Sequence, residues 1–383
     1  MLPNPAFIIY EEKLRANLEL IRSVALAAEV DIILALKAFA YWPAFPLIAD
    51  YLNGATASSL NEALLIQKHL QGQLHTYAPA YHPTAVEQLA AISSHLTFNS
   101  LREMDRYAAI WDAEKIDQAP ENRPLASRGL RVNPEYSPVE IALYNPASPY
   151  SRLGETLPNL PSRPPAGLEG LHVHTLCEST AGQTAELIKR VQAQFGHYLR
   201  KLRWLNLGGG HLMTKEDYQL EKLISALQGL RSSYPKLKII LEPGAAIVWQ
   251  TGELHAKVLD IIDNYGRRTA LLNVSFTCHM PDTLEMPYRP QVRGAHQEAT
   301  DAGYAYRLGG VSCLAGDYLD AYYFDQPLLV GDTIIFEDMA HYTTVKSTMF
   351  NGVAHPAIVL LDEAGKVKAS RTFGFEDYER RMG

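Results

Sequence analysis

Cysteine is scarce in this chain of 383 residues: there are three, Cys177, Cys278 and Cys313. None sits in a C-x-x-C pair, so neither a disulfide framework nor a cysteine-ligated zinc site is indicated. Long apolar runs are lacking; none reaches the ~18 residues that cross a bilayer, which argues against a membrane partner. Basic charge is in deficit. Lys and Arg number 35 against 42 Asp and Glu, a net charge of −7, which argues against nucleic acid and suits a cationic ligand. The first residues, Met1-Leu2-Pro3-Asn4-Pro5, show neither the basic region nor the apolar core of a secretion signal, and a cytoplasmic location is expected. There is no G-x-S-x-G, no Walker motif, no triad order, no repeat of solenoid length and no low-complexity tract.

What is present is an ordinary globular composition, 47% hydrophobic and 20% charged. The length exceeds the roughly 250–300 residues at which a single core stops growing, so two domains are expected. Up to about residue 245, short β-rich runs alternate with longer helical stretches. The predicted strands are Ile32–Leu36, Gly54–Ala57, Leu74–Ala78, His95–Phe98, Gly129–Asn133, Leu168–His174, Trp204–Leu207 and Lys238–Leu241. The predicted helices include Glu11–Ala28, Ser59–Leu70, Leu101–Trp111, Thr180–Lys201 and Thr214–Leu230. Ser59-x-x-Glu62 reads as a capping box. Eight strands alternating with helices make a (β/α)8 TIM-type barrel over residues 11–245. From 246 to 383 the texture is β-rich, with strands over Thr251–Asn264, Arg268–Ser275, Thr333–Asp338 and Ile358–Leu361. The N-terminal strand within residues 1–10 is expected to join this second domain. Residues 112–127 and 155–167 read as loops.

Several side chains have chemical potential. Lys37 is the one charge in Ile32–Trp42. Burial pushes an amine towards its neutral form, and a neutral amine is what Schiff-base formation needs; a lysine snorkelling to water is the plain alternative. Lys37 also ends the first strand, on the face where barrel enzymes do chemistry. Gly208-Gly209-Gly210 follows a strand and allows close approach of backbone amides to a phosphate, although a simple turn has the same pattern. Glu242 ends the eighth strand, as a partner for a ring nitrogen or as a solvated acid. His172 and His174 share one strand face at i and i+2, a spacing that binds metal. No convincing third ligand is visible, so no metal is expected. Cys313 lies in a glycine-rich loop with Asp317, where a buried inert thiol is the default.

Taken in order, these segments resemble the alanine-racemase-fold decarboxylases that use pyridoxal 5'-phosphate (PLP). Within that fold they are most similar to the carboxynorspermidine/carboxyspermidine decarboxylase family. The likeness runs through Leu34–Phe39, Thr56–Glu62, Asn145–Gly154, His172–Glu178, Leu205–His211, Phe276–Asp282, Ser312–Asp317, Met339–Tyr342 and Phe350-Asn351-Gly352. It implies an alanine racemase-like fold in which Lys37 binds PLP as a Schiff base and His174 stacks on its ring. Gly208, Gly209 and Gly210 would cradle the phosphate with Tyr342, and Glu242 would pair with the ring nitrogen. Arg131 and Arg152 would lie near the cofactor pocket. Cys313 and Asp317 would reach into the site of a partner subunit in a homodimer, with Cys313 reprotonating the α-carbon.

A glutamate beside the nitrogen favours decarboxylation, whereas racemases of this fold usually set an arginine there. Asp282 and Glu285 are candidates for the ammonium groups of a cationic amino-acid substrate. The implied reaction makes norspermidine or spermidine from its carboxylated precursor, a step of polyamine biosynthesis. Rival readings are a same-fold decarboxylase for diaminopimelate, ornithine or arginine, and an inactive regulatory homologue. One departure stands out: Ala245 follows Glu242-Pro243-Gly244, where relatives carry a charged residue.

Overall fold

A computed structural model describes residues 2–111, 125–286, 288–299 and 303–383. The loop expected over 112–127 lies almost wholly outside these residues. The chain divides into two compact units, one of Ala16–Ile247 and one of Met1–Arg15 with Val248–Gly383. The divisions fall inside the helices Glu11–Ala28 and Ala245–Val248. Among the described residues, no helix is long and apolar enough to cross a membrane.

The chain opens with strand β1, Ala6–Tyr10, which belongs to the second-named unit. The barrel strands of the other unit are β2 (Asp31–Ile32), β3 (Leu34–Ala35), β4 (Gly54–Ala57), β5 (Gln73–Tyr77) and β6 (His95–Phe98), then β7 (Ser127–Arg131), β8 (Gly170–His172), β9 (Trp204–Asn206) and β10 (Lys238–Leu241). All pair in parallel, in the order β2-β10-β9-β8-β7-β6-β5-β4-β3. Nine segments fill eight barrel positions. The predicted first strand, Ile32–Leu36, is broken at Ile33: its first half pairs with β10 and its second with β4, so this strand closes the (β/α)8 ring.

Glu11–Ala28 is reproduced in full, and Ser59–Leu70 and Thr180–Lys201 to within two residues at each end. The helix expected over Thr214–Leu230 forms instead over Leu220–Ser233, and that over Leu101–Trp111 stops at Arg106 before a 3-10 turn over Ala108–Trp111. Pro83–Ile92 escaped the sequence reading; its start is set by Pro83 and by the His82 ring, which accepts the Thr84 N–H. The expected capping box is offset. Ser59 accepts the Glu62 N–H at 3.2 Å, but the Glu62 carboxylate accepts from Ser58 rather than Ser59. A true box forms at Thr180 and Gln183.

Inside the barrel, one aromatic dictates two glycines. Gly129, Gly170 and Trp204 are register neighbours on adjacent strands. A Cβ on Gly170 would come within 1.9 Å of the Trp204 ring, and one on Gly129 within 2.3 Å. The indole lies flat over both, and its N–H donates to Ser127 Oγ at 2.8 Å. Gly170→Ala is therefore expected to destabilise the barrel by roughly 1–3 kcal/mol through overpacking. Urea unfolding measures this, and Trp204→Leu in the same chain should recover part of the loss.

The other unit is built on a twisted sheet. Its remaining strands are β11 (Gly252–Asn264), β12 (Arg267–Leu272), β13 (Ala295–His296), β14 (Tyr304–Gly309), β15 (Tyr318–Phe324), β16 (Thr333–Phe336), β17 (Ala357–Leu361) and β18 (Val367–Arg371). The order is β13-β15-β14-β12-β11-β1-β17-β18, with β16 also on β11. Strand β1 runs antiparallel to β11 and parallel to β17. The core gathers Phe7, Leu254, Phe276, Tyr322 and Phe336. Strands β14 and β15 have no counterpart in the sequence reading; their tyrosine-rich runs lack clean alternation, and pairing with each other, of β14 with β12 and of β15 with β13 defines them.

Candidate active site

Lys37 leaves the end of β3 in a tight turn, with Leu36 N–H donating to Thr56 and Ala38 N–H to Ala35. Its Nζ lies 3.0 Å from His174 Nε2. The other nitrogen of that ring, Nδ1, accepts the backbone N–H of Gly209 at 3.0 Å. A backbone amide can only donate, so Nδ1 carries no proton and the hydrogen of the neutral ring sits on Nε2. Nε2–H must then donate to Lys37, which can accept only as a neutral amine. Burial acts in the same direction. It lowers the Lys37 pKa, with the nearby Arg131 guanidinium adding to the effect, and it holds His174 well below the usual imidazole range. Lys37 is nevertheless solvent-exposed, so the direction of the hydrogen bonds, more than burial, carries its neutral form.

Glu242 directly follows β10 and is 5% exposed. Asn206 Nδ2 donates to Oε1 at 2.6 Å, while Asn206 Oδ1 accepts from Gly208 N–H at 2.8 Å. His172 Nε2 lies 3.3 Å from Oε2, and His75 Nδ1 lies 3.9 Å from Oε1. Burial alone would raise the carboxyl; the adjacent His172 and His75 rings and the Asn206 hydrogen bond override it and hold the pKa at about 2. Glu242 is a buried carboxylate. Arg131, His172 and Asn206 are consecutive register neighbours on β7, β8 and β9, so one inward layer carries all three. Arg131 donates to the His174 carbonyl at 2.8 Å and stacks over Tyr77. Arg152 is exposed.

The glycines are explained by crowding. Gly208 and Gly210 have φ of 67° and 89°. A Cβ on Gly209 would come within 2.5 Å of the Glu242 carbonyl, and one on Gly210 within 2.2 Å of the Leu176 carbonyl. The run therefore brings Glu242 and the chain after β8 together. Two of its amides, those of Gly208 and Gly209, already donate to Asn206 and His174.

The structure corrects the expectation that His172 and His174 lack a third ligand. Glu242 stands beside them, and ligand atoms of all three lie within 4.8 Å of one another. Strand β10 is some 70 residues further along the chain, so no linear spacing shows this. Both nitrogens of His174 are, however, engaged by Gly209 and Lys37.

In the other unit, Cys313 is exposed on the loop between β14 and β15. Asp317 does not present its carboxylate outward as expected. It is 4% exposed, and its oxygens accept the N–H groups of Thr277 and Ser312, each at 3.0 Å. Asp282 and Glu285, expected to meet a cationic ligand, both bind the Lys346 ammonium of their own chain, Glu285 at 2.8 Å. Tyr342 precedes the helical turn Thr343–Lys346 and has φ 53° and ψ −50°, a strained conformation of the kind that concentrates at functional sites. The sequence reading did not assign roles to Asn206, His75 or Asn351; the first lies in the glycine motif it quotes, and the third in its Phe350-Asn351-Gly352 segment.

Comparison with known proteins decides the family. The sequence model of the pyridoxal-dependent decarboxylases, C-terminal sheet domain, matches residues 48–340. The chain belongs to the pyridoxal-dependent decarboxylase family. It is 47% identical to the carboxyaminopropylagmatine decarboxylase of Synechocystis sp. over 100% of this chain and 96% of that one. It is 38% identical to the carboxynorspermidine/carboxyspermidine decarboxylase of Campylobacter jejuni, over 99% and 98%. The crystal structure of carboxynorspermidine decarboxylase from C. jejuni, complexed with norspermidine, superposes with a TM-score of 0.90 at 37% identity, covering 99% of this chain and 100% of that one. As in other decarboxylases of this fold, a (β/α)8 barrel is followed by a β domain.

Acid should unfold this decarboxylase early. Burial lowers the pKa of His75, His95, His172, His174 and His211, with His95 and His211 at about 4. The unfolded chain, with histidines near 6.5, takes up protons first as pH falls. Stability is full above about 6.5 and is lost towards pH 4, each fully neutral histidine adding a slope of roughly 1.4 kcal/mol per pH unit. The urea midpoint should fall steeply across that window; a flat profile would contradict the neutral-histidine barrel.

Proposed function

We propose that this chain decarboxylates a carboxylated polyamine, carboxynorspermidine or carboxyspermidine, giving norspermidine or spermidine. Full-length similarity to enzymes acting on carboxylated polyamine derivatives carries the substrate class. The residues suit PLP: a neutral lysine amine, a buried carboxylate for a protonated ring nitrogen, and a histidine whose orientation is locked. When bound, the cofactor supplies an electron sink for the charge left as CO2 departs.

The chain's own groups do the rest. Lys37 would hold the cofactor covalently through Nζ, which must be unprotonated to do so, the state that the His174 contact favours. Glu242, oriented by Asn206 and flanked by His172, keeps a proton on the ring nitrogen. With two glycine amides of the run already committed, Gly210 N–H is the proposed phosphate contact of the glycine run. Cys313 holds a proton at Sγ for the α-carbon, delivered to the partner subunit's site in a homodimer. Asp282 and Glu285 meet the cationic tail only by exchange with Lys346.

A second reading is favoured by the higher identity to the Synechocystis enzyme. In it the tail ends in a guanidinium, a planar fork that an ammonium does not imitate. Amine product formation from carboxynorspermidine, carboxyspermidine, carboxyaminopropylagmatine, diaminopimelate, ornithine and arginine separates these readings. Turnover of either carboxylated triamine ahead of the rest is expected. Preference for the guanidino compound establishes the second reading, preference for diaminopimelate, ornithine or arginine overturns both, and no turnover marks an inactive homologue.

A further inference from the structure

Three sequence segments that lie apart in the chain meet at one place in the β unit: Phe276–His279, Ser312–Asp317 and Phe350-Asn351-Gly352. The first is a single helical turn. From it, Thr277 N–H donates to Asp317 Oδ1 at 3.0 Å, while the second oxygen of Asp317 accepts from Ser312. Gly310 N–H donates to the Asp317 carbonyl at 2.7 Å. A Cβ on Gly310 would come within 2.3 Å of the same carboxylate, so this glycine lets the loop fold onto its own aspartate. On the other side, Thr348 N–H donates to the Cys278 carbonyl at 2.7 Å, and Cys278 Sγ lies 3.5 Å from the Phe350 carbonyl. The ring closes at Cys313, whose backbone N–H donates to Asn351 Oδ1 at 2.8 Å.

Cys313, Leu314, Ala315 and Gly316 are all exposed, and such a loop tip is mobile unless tied down. Asp317 ties its base. Asn351 alone, among the hydrogen bonds described, reaches the backbone of Cys313 itself. Asn351 has φ 57° and ψ 16°, followed by Gly352 at φ 71°. Asparagine tolerates this left-handed conformation better than most residues, so one residue type both makes the turn and presents the acceptor.

We infer that Asn351 is a positioning residue for Cys313: its side-chain carbonyl, held by a left-handed turn, fixes the backbone from which the thiol projects, while Asp317 braces the loop rather than binding substrate. This rests on the proton-donor reading of Cys313. A donor must stand within hydrogen-bond reach of the atom it protonates, and misplacement by about 1 Å can cost on the order of a hundredfold in rate.

The test uses the PLP-loaded full chain with Asn351→Gly, which keeps the backbone conformation and deletes the acceptor, and Asn351→Asp, which restores an acceptor of the same shape. Cys313→Ala and the double variant Asn351→Gly/Cys313→Ala complete the set. Amide hydrogen exchange over residues 310–317 reads the loop directly, and thermal melting checks that each variant is folded. In Asn351→Gly, exchange at the loop should rise and kcat should fall roughly tenfold or more, with KM changed less than about threefold. Asn351→Asp should recover most of both. Because Asn351 acts through the thiol, its loss should add less than about twofold to Cys313→Ala.

Turnover of Asn351→Gly within about twofold of the parent overturns the inference, as does a further tenfold loss in the double variant. Unimpaired turnover in Cys313→Ala overturns the proton-donor reading itself, and the inference with it.

Discussion

Lys37→Ala should abolish the near-visible absorbance of covalently held cofactor and reduce decarboxylation on the order of 10³-fold or more, as expected when a covalent group is removed. The hydrogen-bond directions around Lys37 are forced. Gly209 N–H can only donate, so His174 Nδ1 accepts, so Nε2 carries the proton, so Lys37 receives it on a lone pair. An ammonium at that position would set two donors face to face. Lys37→Arg should fail as completely as alanine, since a guanidinium stays protonated and has no lone pair to offer. Added small primary amines should partly rescue Lys37→Ala by supplying the missing neutral amine in solution. A Lys37→Ala protein that keeps both its absorbance and its turnover would remove the lysine from the mechanism.

Glu242→Gln should lower turnover by roughly 10²–10³ while sparing covalent cofactor attachment, a loss in the range seen when one preorganised electrostatic partner is deleted. The substitution preserves shape and the hydrogen bond from Asn206, but it removes the negative charge. That charge is costly to bury, and the chain spends Asn206, His172 and His75 on keeping it. A buried carboxylate held at about 2 remains ionised at any working pH, so it can pin a proton on a basic ring nitrogen. Absorbance reports attachment and amine formation reports turnover. Loss of both would assign Glu242 to folding, and loss of neither would assign the nitrogen's proton to another group.

Much of this was legible in linear order. The alternation of β-rich runs and helices is a local signal, repeated eight times, and each repeat constrains the next. Lys37 was conspicuous because a lone charge in an eleven-residue apolar run contradicts its surroundings. The glycine run was conspicuous for the same reason of local contrast. The break at Ile33 was not legible, because a strand shared between two partners looks continuous in sequence. Asp282 and Glu285 looked free for a ligand because their counterion, Lys346, lies some 60 residues away on another turn.

By itself, then, the sequence determined the barrel, the β domain that follows it, and the strand-end positions of Lys37 and Glu242, since chain order and two-residue periodicity specify which face each strand residue takes. Tertiary structure alone decided the electrostatics. It set Glu242 among His172, His75 and Asn206, directed the hydrogen of His174 towards Lys37, turned Asp317 inward, and gave Cys313 its Asn351 partner. The physical reason is that proton positions and carboxylate charges depend on neighbours a few ångströms away, and those neighbours come from strands and loops tens to hundreds of residues apart.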